Sequence, residues 1–153
     1  MKKPAFLVLV LLTVFAIASC AEGEIDYALS FVSFTITNPD LEQTYGGTEN
    51  CCAFISGNTL DLRAGKGNEN FRLQIPLSGE GPYERVYQNC IASVNTGSGL
   101  YEGSVQTVTL MSVPDTAGEF VTGTFANGSV TLGGVTRTLS GGIIHLVFVN
   151  KAR

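Results

Sequence analysis

The sequence predicts an all-β protein, an antiparallel β-sandwich or barrel of about nine strands preceded by one N-terminal helix. Three observations carry that expectation. Short runs in which apolar and polar residues alternate recur along the chain, and none repeats with a helical period of about 3.6 residues. Glycine, proline and asparagine cluster between those runs. The runs themselves are rich in Val, Ile, Thr, Phe and Tyr, the residues that suit a pleated, half-buried surface.

Taken in order, the first strand starts near Tyr27. Leu29 and Phe31 share one parity and Phe34 and Ile36 the other, so a bulge near Val32 or Ser33 is expected, and Asn38-Pro39-Asp40 ends the strand. Residues 44–50 are Gly-rich and read as a loop. Residues 51–55 form a short apolar strand, Ser56-Gly57-Asn58 a turn, and Leu60, Leu62 and Ala64 the apolar side of the returning strand. After the turn at residues 65–70, Phe71, Leu73, Ile75 and Leu77 alternate with Arg72, Gln74 and Pro76, the cleanest half-buried strand in the chain. Pro76 lacks a ladder donor, which places that end at an edge or a strand terminus. Cys90, Ala92 and Val94 continue the parity of Val86, and residues 95–99 turn the chain into a Val- and Thr-rich strand at 105–113 that Pro114-Asp115 stops. Residues 120–125, 130–132, 135–139 and 143–149 then read as separate strands, divided by Asn127-Gly128, Gly133-Gly134 and Gly141-Gly142, dipeptides that tolerate the positive φ of tight hairpins. The last is apolar at nearly every position, as expected of a central strand covered on both faces. Phe71, Leu73, Ile75, Ile144, Leu146 and Phe148 are the predicted core.

The N-terminus has a different logic. Lys2 and Lys3 precede an uncharged apolar run over residues 5–17, then small residues lead to Cys20, the layout of a secretory signal peptide. The run is shorter than the roughly 20 residues of a membrane-spanning helix. Ile17-Ala18-Ser19-Cys20 resembles the lipobox of bacterial lipoproteins. That resemblance implies cleavage before Cys20, lipidation of its thiol, and a membrane anchor. Residues 1–19 are then a signal peptide, 20–26 an acidic lipidated tether, and 27–150 a single β domain of ordinary domain size. Ala21 after the cysteine resembles lipoproteins sorted to the outer membrane.

Further motifs point the same way. Gly57-Asn58-Thr59-Leu60-Asp61-Leu62, Phe71-Arg72-Leu73-Gln74-Ile75-Pro76, Gly81-Pro82-Tyr83 and Val121-Thr122-Gly123-Thr124-Phe125 are similar to segments of small β-rich lipoproteins of unknown function from Gram-negative bacteria. The likeness spans residues 57–149. It departs from that family at Gly81-Pro82-Tyr83, which lacks a second glycine, and at Cys51-Cys52. The resemblance implies a fold and a place in the envelope, with no catalytic residue attached.

Charge excludes a class of partner. The chain carries 9 basic against 13 acidic side chains, a net −4 that becomes more negative once Lys2 and Lys3 are cleaved away. The remaining basic residues are scattered, so no nucleic-acid partner is expected. No catalytic, metal or cofactor vocabulary stands out. His145, the single histidine, lies inside a strand with no G-x-S-x-G elbow to serve, and reads as a solvent-facing or strand-capping residue. Zinc spacings are absent, and Asp61, Asn68, Glu69 and Asn70 match no EF-hand loop. Glu80, Glu84 and Glu102 near turns are the carboxylates that a small glycosidase-like hydrolase would use. Tyr45, Tyr83 and Tyr101 each adjoin a Gly-rich turn. They are either binding residues for a glycan or an envelope protein, or anchors that hold their loops to the sheet, the more frequent arrangement. The expected function is a non-enzymatic binding or structural module. The alternatives are that hydrolase and a calycin-like barrel holding a small lipid.

Once Cys20 carries lipid, Cys51, Cys52 and Cys90 remain, in a compartment that permits disulfides. Neighbouring residues face opposite sides of a strand, so Cys90 is expected to bridge to Cys51 or to Cys52. Such a loop would contribute about 4 kcal/mol in the chain-entropy model.

Overall fold

The computed structural model describes residues 25–37, 41–47, 50–78, 83 and 85–152. These form nine strands and no helix: β1 (Phe31–Ile36), β2 (Leu41–Gly46), β3 (Cys52–Ser56), β4 (Thr59–Lys66), β5 (Glu69–Pro76), β6 (Val86–Asn95), β7 (Leu100–Ser112), β8 (Phe120–Leu132) and β9 (Val135–Ala152). The helix expected over residues 5–17 lies outside the described residues, as do Cys20 and most of its tether.

Consecutive strands from β3 to β9 pair with one another as antiparallel neighbours, and β9 returns to pair with β3, so seven strands close into a barrel. The closing β3–β9 pair is parallel. Between sandwich and barrel, the chain is therefore a barrel, with β1 and β2 as two added strands. One edge of β9 is shared between two partners: β1 covers it from Leu139 to His145, and β3 takes over from Val147. Ser30 fills the handover. Its side chain is fully buried, its hydroxyl accepts the Val147 N–H at 3.0 Å, and it donates to the Cys51 carbonyl. A backbone donor that would be orphaned between two partner strands is thereby satisfied.

All six predicted core residues are buried, as are Leu60, Leu62 and Ala64 opposite them on β4. Phe34, Phe71 and Phe125 meet inside the barrel with ring centroids 4.9 to 5.9 Å apart, and Tyr45 packs 6.1 Å from Phe34. Such tilted and offset rings add to the area they bury. Pro76 is the last residue of β5, as its missing donor requires.

The structure departs from the sequence reading at three places, each for a physical reason. Residues 44–46, read as the start of a loop over 44–50, instead end β2, whose Tyr45 is drawn into the core. Of the three Gly-bearing dipeptides in the last third, Gly133-Gly134 is a hairpin turn and the other two lie inside long strands. Asn127 (φ 56°) and Gly141 (φ 63°) do adopt the left-handed conformation, and they use it to kink β8 and β9. Asn89 (φ 55°) does the same in β6.

These kinks are in step. Inward residues jump by three at one level of the barrel: Tyr87 to Cys90, Val105 to Val108, Phe125 to Gly128, and Leu139 to Gly142. Because β6 to β9 shift together, their mutual register survives. Strand β1 alternates without interruption through Val32, Phe34 and Ile36, so its ladder with β9 must slip between Ser33 and Thr35. The bulge expected within β1 therefore lies on β9 beside it, and Leu29, before the strand, is exposed. The kink at Asn89 also explains why Val86 faces outward although Cys90, Ala92 and Val94 face in. β9 is central by pairing, and its coverage on both faces holds only at Leu146, Val147 and Phe148; Ile143 is 48 % exposed.

Candidate functional site

The site that emerges is on the outside of the barrel, across β3, β4 and β5. Alternation that sends Leu60, Leu62 and Ala64 inward sends Asp61 and Arg63 outward, and the β4–β5 register sets Arg63 directly opposite Arg72. Asp61 is nonetheless buried, because both guanidiniums fold over its carboxylate. Arg72 Nε donates to Asp61 Oδ1 and Oδ2 at 3.0 and 3.1 Å and its Nη2 to Oδ2, while Arg63 Nε and Nη2 donate at 3.4 and 3.2 Å. Burial by itself would raise the Asp61 pKa. The hydrogen bonds from Arg72 and Arg63 outweigh it and hold the carboxyl below its ordinary range. The Arg72 guanidinium is held above its ordinary value by the same bonds.

Arg63 Cζ also lies 4.6 Å from the centre of the Phe54 ring, the next outward residue on β3. Above this cluster opens a groove of about 600 Å³ whose lining includes Asn50, Phe54, Arg63, Glu69, Asn70 and Arg72. Cys52 sits at its edge, opposite Arg63. Burial pushes the Cys52 thiol up despite the opposing pull of Arg63, so it is a poor nucleophile. The arginine side chains are 41 to 50 % exposed, and both line the groove.

The residues singled out by sequence fall elsewhere. Tyr45 and Tyr101 are 2 % and 6 % exposed, and Tyr83 packs against the core. They are anchors. Burial, with the Glu69 charge in addition, pushes the Tyr45 hydroxyl up to about 12, and Arg137 lies over the Tyr101 ring at 4.6 Å. His145 is on the outer face, stacked between Phe120 at 4.3 Å and Phe31 at 5.5 Å, which is a packing role. Glu80 and Glu84 lie outside the described residues, and Glu102 is exposed on β7. Among the described residues no three His, Cys, Asp or Glu side chains are grouped to hold a metal, and Asp61, which the calcium reading would need, is committed to two arginines.

The structure does not bring the expected cysteine pair together. Cys51 and Cys90 are both buried, yet no disulfide joins Cys51, Cys52 and Cys90. Strands β4 and β5 lie between β3 and β6. Following the ladders, Cys52 stands level with Arg63, Arg72 and Ser93, whereas Cys90 lies just past the Gln74–Ile91 pair. Three strand spacings of about 4.8 Å plus several residues of axial offset far exceed the roughly 7 Å Cα separation a disulfide spans. Cys51 Sγ donates instead to the Gly65 carbonyl at 3.6 Å, and burial pushes the Cys90 thiol up to about 11.

Sequence reasoning overlooked the Asp61–Arg63–Arg72 cluster although its signal was present. Asp61 and Arg63 share the outward parity of β4, and the hairpin over residues 65–70 can be counted to bring Arg72 across from Arg63. Comparison of the chain with protein-family models, with curated proteins and with solved structures gave no match in any of the three.

Proposed function

We propose that the chain is a lipid-anchored protein of the Gram-negative cell envelope, held at the outer membrane through Cys20, whose barrel is a non-enzymatic binding module for an envelope protein or glycan. The observation that carries the binding half is the polar groove over β3 to β5, where two half-exposed arginines, an aromatic ring and amide side chains converge. The barrel interior is occupied by Phe34, Phe71, Phe125 and Tyr45, which favours an outside site over a lipid held within. Asp61 is clamped as an anion by two guanidiniums and has no proton to give, so the groove offers no general acid from it. The anchoring half rests on Lys2 and Lys3, the apolar run and Ile17-Ala18-Ser19-Cys20. Two acyl chains suffice for stable attachment.

Fractionation and acyl labelling of the wild-type and Cys20→Ala proteins test the anchor. The variant is expected to lose its label and either remain unprocessed or leave the membrane; a retained acyl label, or processed protein still recovered with the membrane, would overturn it. Crosslinking of the acylated protein in its own envelope, repeated with Phe54→Ala and Arg63→Gln, tests the groove. Partners that depend on those two residues support the module, and an unchanged crosslinking pattern counts against it.

A further inference from the structure

Arg63 and Arg72 are Cα partners across β4 and β5. Like charges directly opposite one another destabilise a sheet, and one carboxylate cannot neutralise two guanidiniums. A bridge built only for stability would need a single arginine on Asp61. Each guanidinium has five N–H groups, and Asp61 engages the Nε and Nη2 ends of both, which leaves Nη1 of each uncommitted to it. Both side chains are 41 to 50 % exposed and line the groove. On a protein of net charge −4, the cluster is a fixed, locally cationic spot.

Fixing matters as much as charge. Arg72 is held by Asp61, and Arg63 is held twice, by Asp61 and by the Phe54 face. A ligand anion arriving there meets donors already oriented, which lowers the ordering cost of binding. Planar guanidinium forks match a carboxylate in particular. Among the described residues the rest of the groove adds no third cation: beyond the two arginines come the Asn50 and Asn70 amides and the Glu69 carboxylate, partners for hydroxyl groups, with Phe54 as an apolar flank. Its size, about 600 Å³, is that of an ordinary small-ligand pocket.

We propose that this groove is a binding site for a carboxylate-bearing saccharide, with the acid group on Arg63 and Arg72 and the sugar hydroxyls towards Asn50, Glu69 and Asn70. This assignment rests on the binding-module reading above and gives it a ligand class. Asp61 offsets one of the two guanidinium charges and a sugar carboxylate would offset the other, while Glu69, the remaining carboxylate of the groove, is left to the hydroxyls.

The test is calorimetric titration of the full-length protein in detergent with digalacturonic acid and with its neutral counterpart, digalactose. The acidic sugar should bind with an affinity that falls as salt rises, and the neutral sugar should bind roughly tenfold or more weakly. Arg63→Gln should cost a similar factor, because Asp61 keeps Arg72 and the fold is retained, as a thermal melt would check. Arg63→Lys keeps the charge, loses the planar fork and should recover only part of the affinity. Equal affinity for both sugars, an unchanged Arg63→Gln titration, acetate or inorganic phosphate binding as tightly as the sugar acid, or no heat from the sugar acid up to about 1 mM would each overturn the assignment. If the sugar acid fails while envelope crosslinks still depend on Phe54 and Arg63, only this ligand class falls; if those crosslinks are also indifferent to both residues, the binding-module reading falls with it.

Discussion

The inner and outer faces of β4 and β5 are built from the same two strands and obey opposite rules. Inward, Leu60, Leu62, Phe71, Leu73 and Ile75 are buried in the core, where Phe71 meets Phe34 and Phe125, and contact area holds them. Outward, one buried carboxylate organises two arginines that would otherwise repel, and the cluster stays half in water. Apolar burial yields about 25 cal/mol per Å² whatever the direction of contact, whereas half-exposed ion pairs contribute about 1 kcal/mol or less. The inner face therefore supplies the stability, and the outer face is free to be arranged for something else.

The sharpest way to break that contrast is Phe71→Ala, which removes a ring from the three-phenylalanine cluster and is expected to cost about 3–5 kcal/mol in chemical denaturation. A loss under about 1 kcal/mol would mean that the interior is not the source of stability. Ser30→Ala comes next, at about 1–3 kcal/mol, because it strands the buried Val147 N–H where β9 changes partners. Hydrogen exchange of the Val147 amide would locate the effect. Gly142→Ala should be of similar size, about 1–3 kcal/mol, since a methyl there would lie 2.3 Å from the Phe125 ring.

Protonation separates the faces by pH. Asp61 has a depressed folded pKa, so its contribution is present above its ordinary value of 3.8 and is lost as pH falls through the folded value. Tyr45 and Cys90 have raised values: their stabilising neutral forms are fully favoured below 10.0 and 9.0, and that stability disappears as pH rises through about 12 and about 11. Melting curves should therefore show an acid limb removed by Asp61→Asn and an alkaline limb reduced by Tyr45→Phe. The smallest expected change is Arg63→Gln, within about 1 kcal/mol, because the pair is half exposed and Asp61 keeps Arg72. A much larger loss would turn the outer cluster into a structural staple.

Strand identity and the facing of Phe71, Leu73, Ile75, Ile144, Leu146 and Phe148 were legible because a period of two survives wherever a strand runs straight. The kinks were not, since Asn127-Gly128 and Gly141-Gly142 have the chemistry of a hairpin, and whether positive φ makes a turn or a bend depends on the neighbouring ladder. The same dependence hid the cysteine geometry. Parity turned Cys90 inward and left Cys51 and Cys52 open as its partner, but only strand order and register reveal that β4 and β5 stand between β3 and β6. Tyr45 was placed in a loop because Gly46-Gly47 follows it, while tertiary packing made it a core residue of β2. The outer cluster was countable from the hairpin over residues 65–70, and was missed because charged residues on an outward parity look like ordinary solvated positions.

The long last strand has a consequence for the order in which the molecule is made. β9 is the seam: it closes the barrel against β3, carries the β1–β2 hairpin, and pairs with β8 along most of its length. It is also translated after the other eight strands. Until residues 135–152 leave the ribosome, β1 lacks its central neighbour and the ring has a gap, so the nascent chain can form hairpins but not the closed structure. Pairings between strands so far apart in sequence also fold slowly, on the millisecond-to-second scale typical of β-rich topologies. Under the envelope reading proposed above, this leaves the chain open for as long as its export takes.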